Sequence, residues 1–132
     1  MNKEITLHNS SEFQNSTITD RFGRVFNYLR IAINERCNLR CIYCMPEEGI
    51  LFQEKDRLLD KNEICKIIKV MSELGVSKIR FTGGEPLLRK DLLDLIRYTY
   101  QQTDISSIHL TTNGVLLSKY IKQLEKAGLN GI

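Results

Sequence analysis

Apolar residues recur at two periods along this chain, and the switches between them divide it into elements. Leu29 and Ile31 alternate with Tyr28, Arg30 and Ala32, so residues 28–33 predict a first strand. Ile64, Ile67, Ile68, Met71 and Leu74 then return at helical spacing. Asp60 can cap that helix with Glu63 as reciprocal partner, and Gly75 can supply a left-handed residue at its end. Lys78-Ile79-Arg80-Phe81-Thr82 predicts a second strand, closed by Gly83-Gly84-Glu85-Pro86. A helix from about Lys90 to Gln102 follows, with Leu92, Leu95, Ile96 and Thr99 facing inward. Residues 107–111 predict a third strand and the turn Thr112-Asn113-Gly114 ends it. A third helix spans about Ser118 to Ala127 and stops at Gly128, and residues 129–132 read as the start of a fourth strand.

Strand and helix alternate three times with short connections, which predicts an α/β fold with a parallel sheet and right-handed crossovers. Residues 1–19 are polar, rich in Asn, Ser and Thr, and without a sustained period; they read as a loosely ordered tail ahead of a core at 20–132. Residues 34 to about 58 read as an irregular loop containing Pro46 and Gly49. The unusual sequence all follows strand C-termini, the edge where α/β folds bind ligands. Because the pattern ends as a fourth strand begins, the expected architecture is half of a barrel, with the third strand exposed.

The chain has 132 residues, about one domain, and its 42% hydrophobic and 27% charged residues are those of a globular protein. No apolar run approaches the ~20 residues of a membrane span, and residues 1–8 lack the features of a secretory signal. The expectation is a cytoplasmic protein that binds no membrane. A net charge of +3, dispersed along the chain, gives no basis for nucleic-acid binding.

Cysteine usage changes the picture most. Cys37, Cys41 and Cys44 lie within one ten-residue stretch, Cys37-Asn38-Leu39-Arg40-Cys41-Ile42-Tyr43-Cys44-Met45-Pro46. Three thiolates can hold three corners of a cubane iron–sulfur cluster and leave the fourth iron open to a small molecule, whereas such clusters are usually held by four Cys. Zinc is the alternative, but structural zinc wants four protein ligands. His8 lies in the polar tail and His109 falls within the third strand, so neither is an obvious fourth ligand, and Cys65 stays open. Unliganded thiols are the plainest alternative. Cys65 falls in a helical pattern and reads as a small buried hydrophobe.

Gly83-Gly84-Glu85 is either an ordinary strand-to-helix turn or a surface where backbone approaches a ligand, with Glu85 adding charge or a buttress. Arg30, Lys78 and Arg80 share a face within their strands. They form solvated surface, ion pairs with carboxylates, or an anion site where Arg forks bind phosphate. Thr111, Thr112 and Asn113 divide between turn chemistry and ligand contacts.

Taken together, Asp20-Arg21-Phe22-Gly23-Arg24, Tyr28-Leu29-Arg30-Ile31, the three-cysteine stretch, residues 78–89 and Leu110-Thr111-Thr112-Asn113-Gly114 resemble the radical S-adenosylmethionine enzymes. Within them the likeness, over residues 20–132, is to the N-terminal part of the GTP 3′,8-cyclase family, which opens molybdenum-cofactor biosynthesis. The resemblance implies a partial (β/α)6 TIM-like barrel, here three βα units plus the start of a fourth strand. It implies that Cys37, Cys41 and Cys44 ligate a [4Fe–4S] cluster. Tyr43, Gly83, Gly84 and Glu85 would contact S-adenosylmethionine, and Arg30, Lys78, Arg80 and Thr111 would contact GTP. A 5′-deoxyadenosyl radical would take hydrogen from C3′ of GTP, the sugar radical would attack C8 of guanine, and the product would be (8S)-3′,8-cyclo-7,8-dihydroguanosine 5′-triphosphate. The implied partners are an electron donor and a C-terminal half carrying a second cluster; without that half, this stretch is expected to be inactive. The competing expectations are a non-catalytic truncated product and a zinc-stabilised interaction module.

Overall fold

A computed structural model describes residues 17–44 and 58–132. Among them are three strands, β1 (Tyr28–Ala32), β2 (Lys78–Thr82) and β3 (Ser107–Leu110), and three helices, α1 (Lys61–Glu73), α2 (Leu92–Gln102) and α3 (Leu117–Ala127). The strands form one parallel sheet in the order β1-β2-β3. The order equals the chain order, as consecutive βα units require. Helix and strand boundaries fall within two residues of those the periodicity predicts. Pro46 and Gly49 lie outside the described residues, as does the tail up to residue 16.

Helix starts and stops follow local chemistry. The Asp60 side chain accepts from the Glu63 amide at 2.8 Å, and the Glu63 side chain accepts from the Asp60 amide at 2.8 Å. The two bonds satisfy donors that the first turn of α1 would otherwise leave orphaned. At the end of α3, Gly128 adopts φ 104° and donates to the Glu125 carbonyl. A side chain there would also run into the Tyr100 ring.

The sheet has two unlike faces. Ile79, Phe81, Ile108 and Leu110 are fully buried and pack with Ile64, Ile68, Leu92, Leu95, Ile96 and Leu124 from the three helices. Period-two alternation turns Arg30, Lys78, Arg80 and His109 to the other face. That face carries charge where both faces of a parallel sheet are ordinarily apolar.

One expectation about the edges is corrected. The third strand is not open: Asn130 donates to the Ile108 carbonyl at 2.8 Å, Leu110 donates to the Gly131 carbonyl at 3.0 Å, and His109 and Gly131 form a parallel bridge. Residues 130 and 131 thus begin the fourth strand position. The Asn130 side chain adds a bond from the Ile108 amide at 2.7 Å. The more exposed strand is β1.

Ahead of β1, the chain makes a tight hairpin. Thr19 and Val25 pair antiparallel, Gly23 takes φ 79°, and Asp20 accepts from the Phe22 and Arg24 amides and from the Arg24 guanidinium at 2.6 Å. The arrangement is a turn followed by a left-handed glycine, which closes a short hairpin. Those guanidinium and amide bonds hold the Asp20 carboxyl below its ordinary range. The hairpin includes Ile18 and Thr19, just ahead of residue 20.

Candidate functional site

Three loops meet at the C-terminal edge of the sheet, and backbone pairing brings the first two together. Parallel pairing does not stop with β1. Ile33 donates to the Thr82 carbonyl, Gly84 to the Asn34 carbonyl at 2.6 Å and Glu85 to the Arg36 carbonyl at 2.7 Å. Residues 33–36 therefore run beside 82–85 directly into Cys37. A Cβ on Gly83 would collide with the Asn34 backbone, and one on Gly84 with the backbone of Glu35 and Arg36. The close approach that the two glycines permit is thus to the chain's own cysteine loop.

Glu85 locks the third loop onto this pair. Its side chain is fully buried and accepts from the Leu87 amide at 3.0 Å, the Thr112 hydroxyl at 2.7 Å and the Asn113 amide at 2.8 Å. The Asn34 side chain bonds the Glu85 carbonyl at 3.0 Å. Among the described residues no cation pairs with Glu85, and a buried carboxylate is then tolerable only when donors surround it, as they do here. Of the two roles open to Glu85 in the sequence, the carboxylate performs the buttress.

The cysteine loop is also tied at its neck. Arg89 donates to the Ile33 carbonyl at 2.7 Å and to the Leu59 carbonyl at 3.2 Å, so one guanidinium holds the residues flanking both ends of the loop. Asp91 holds Arg89 in turn at 2.6 Å, and that bond keeps the Asp91 carboxyl low. Nothing in the sequence separated Arg89 and Asn34 from ordinary polar residues. Their value lies in which carbonyls they reach.

Cys37 and Cys41 are half-buried and Cys44 is exposed. Desolvation, followed by the charges of Cys41 and Cys37, pushes the Cys44 thiol up. The charges of Cys41 and then Cys44 likewise push up the Tyr43 phenol. Three thiolates within electrostatic reach repel one another, and positive metal between them removes that repulsion. Among the described residues no three His, Cys, Asp or Glu side chains converge as on a single metal ion. A cubane engages its thiolates at three separate iron corners, so the donor set fits a cluster. Cys65 lies apart on α1, half-buried against the apolar core, where burial raises its thiol pKa.

On the open face, the sheet register aligns Arg30 with Arg80 and Arg80 with His109. Lys78 stands two residues back and lies 5.3 Å from the Tyr28 ring centroid. Arg80 donates to the Leu110 carbonyl and the Thr111 hydroxyl, both at 3.2 Å. Among the described residues no carboxylate pairs with Arg30, Lys78 or Arg80. His109, which its place in the third strand made no obvious zinc ligand, lies beside this row of cations. Its other contact is the Ser107 hydroxyl, 2.9 Å from Nε2.

Burial, then Lys78, then Arg80 hold the His109 pKa below its ordinary 6.5. The unfolded chain therefore binds the proton more readily. Stability from this group is complete above 6.5 and is lost as pH falls from there through the lower folded midpoint. An NMR titration of His109 is expected to give a midpoint below 6.5, and Arg80→Met is expected to raise it. A midpoint at or above 6.5 in the parent chain would contradict the cationic environment.

The model of the radical SAM superfamily matches residues 31–132. This chain belongs to that superfamily. Its cofactors are accordingly a [4Fe–4S] cluster and S-adenosylmethionine. Molybdenum cofactor biosynthesis protein 1 of Dictyostelium discoideum is 51% identical over 113 residues, covering 86% of this chain and 18% of that protein. GTP 3′,8-cyclase of Clostridium botulinum is 50% identical over 113 residues, covering 86% of this chain and 35% of the cyclase. The radical SAM chain thus spans about a third of the length of the curated cyclases it matches. Among solved structures, BtrN in complex with AdoMet and 2-DOIA superposes with a TM-score of 0.67 at 26% identity, over 80% of this chain and 44% of BtrN. The likeness to BtrN agrees with part of a TIM-like barrel.

Proposed function

We propose that this chain is the cofactor- and substrate-binding part of a GTP 3′,8-cyclase in molybdenum-cofactor biosynthesis. The observation that carries the substrate is the pair of guanidinium groups on the open sheet face, Arg30 beside Arg80 with Lys78 two residues back, without a carboxylate partner among the described residues. Such a row suits a polyanion, and Arg forks suit phosphate and guanine oxygens. Half the aligned positions being identical to a GTP 3′,8-cyclase supports the same choice.

In this proposal Cys37, Cys41 and Cys44 hold the [4Fe–4S] cluster, and Tyr43 and the Gly83-Gly84-Glu85 turn line the S-adenosylmethionine site. When bound, the cluster and S-adenosylmethionine would supply the radical chemistry that the reaction at C3′ of GTP needs. The chain's own contribution is placement. Arg30 and Arg80 grip the nucleotide, Thr111 orients the Arg80 fork, and Lys78 adds positive charge at the lower end of the row. The sheet holds these groups beneath the edge where the cysteine loop emerges, so a nucleotide gripped there would lie on the same side of the fold as the cysteines. An electron donor, further phosphate contacts and a second cluster from a C-terminal half complete the proposed enzyme, which works in the reducing cytoplasm.

Equilibrium dialysis of GTP against the anaerobically iron–sulfur-loaded chain tests the substrate. Binding is expected, and Arg80→Ala or Arg30→Ala is expected to weaken it about tenfold or more, as loss of a charge-assisted hydrogen bond implies. Absence of GTP binding by a chain that carries its cluster would overturn the assignment of GTP.

A further inference from the structure

The two loops that follow β1 and β3 meet at a sulfur. Asn113 Nδ2 lies 3.8 Å from Cys37 Sγ, within reach for a donor to sulfur, and 2.9 Å from Asn38 Oδ1. A carboxamide nitrogen has two hydrogens, so it can serve both acceptors. The Leu39 amide approaches the same sulfur at 3.4 Å. Asn113 is not free to swing away. Its backbone amide donates to Glu85 and its Oδ1 accepts from the Val115 amide at 3.1 Å, which fixes the side chain in a tight turn. The turn itself is held by Thr112, whose hydroxyl bonds both Glu85 and the Gly114 amide.

From this geometry we propose that Asn113 is a positioning residue that tunes the cluster by hydrogen-bonding the Cys37 thiolate, an inference that rests on Cys37 being a ligand as proposed above. An N–H directed at a ligand sulfur draws electron density from it and makes the cluster easier to reduce. The buried Glu85 carboxylate sets the aim, because it fixes the Asn113 backbone. The turn after β3 therefore has a task beyond reversing the chain. It couples the electronic state of the cluster to the seating of the third βα unit, the unit that also carries Thr111 and His109.

Asn113→Asp separates this role from a structural one. Aspartate keeps the Oδ1 acceptor for Val115 and the backbone amide for Glu85, and deletes the donor to sulfur. Asn113→Ala deletes the donor without adding charge. Both variants and the parent chain are to be loaded anaerobically with iron and sulfide and titrated potentiometrically by electron paramagnetic resonance. At a fixed potential, the reduced-to-oxidised ratio is expected to fall about tenfold in Asn113→Ala, a shift of about −59 mV for a one-electron couple, and further in Asn113→Asp. A purely structural residue would change how much cluster forms and leave its potential in place.

An unchanged potential in Asn113→Ala overturns the inference and leaves the cysteine assignment intact, as does a shift confined to the charged aspartate. A parent chain that takes up no cluster overturns both.

Discussion

Replacing Glu85 with alanine is expected to lower the melting temperature by about 10–20 °C. The carboxylate accepts from the Leu87 amide, the Thr112 hydroxyl and the Asn113 amide while fully shielded from water. Alanine leaves these three donors facing a void, and a buried polar group without a partner costs about 1–3 kcal/mol. Thr112 and Asn113 are less deeply buried than Glu85 and recover some bonding to water, so a loss of about 3 kcal/mol is expected. Against a total stability of about 5–15 kcal/mol that is a large share, and each kcal/mol corresponds to about 3–6 °C for a chain of intermediate size. Glu85→Gln retains one acceptor oxygen but turns an NH2 towards a donor, so about half the effect is expected. Thermal unfolding by circular dichroism measures both. An alanine variant that melts within about 2 °C of the parent would show that the three loops hold together without this staple.

The second large effect concerns metal. Anaerobic loading with iron and sulfide is expected to give about four irons per chain, and alanine at Cys37, Cys41 or Cys44 is expected to abolish that uptake. With three protein ligands, loss of one leaves two irons of the cubane without a thiolate. Cys65→Ala is expected to load normally, because Cys65 packs against the core from α1. Iron and sulfide analysis with visible absorption reads the outcome. Undiminished uptake in any of the three variants would overturn the ligand set, and zinc at about one equivalent with neither iron nor sulfide would favour the interaction module.

These two expectations draw on different levels of information. The cysteine set could be proposed from the sequence because ligand chemistry depends on residue type and local spacing, both of which a sequence displays. Elements were legible for a similar reason. Leu92, Leu95, Ile96 and Thr99 share one helix face by periodicity alone, and all four are buried. Asp60 and Glu63 cap α1 because they stand three residues apart. Local rules act over a few residues, and those residues are adjacent in the chain.

Glu85 was legible as unusual but not as a staple. Its partners Thr112 and Asn113 lie 27 and 28 residues further on, and the crossover through α2 brings them back. The two glycines were read as an ordinary turn or as room for a ligand, and what the sequence did not show is that a Cβ on either would meet the backbone of residues 34–36.

The sequence by itself determined the α/β pattern, the helix caps, the spacing of the three cysteines and which residues share a face within each strand. Only the tertiary structure decided that Arg30, Arg80 and His109 form one row, that β3 is covered by residues 130–131, and that Glu85, Arg89 and Asn113 brace the cysteine loop. The physical reason is register. Spacing within a strand sets the face a residue takes, but its neighbours across the sheet depend on how separate strands slide past one another. Burial of Ile79, Phe81, Ile108 and Leu110 against the helices settles that alignment for the whole sheet at once.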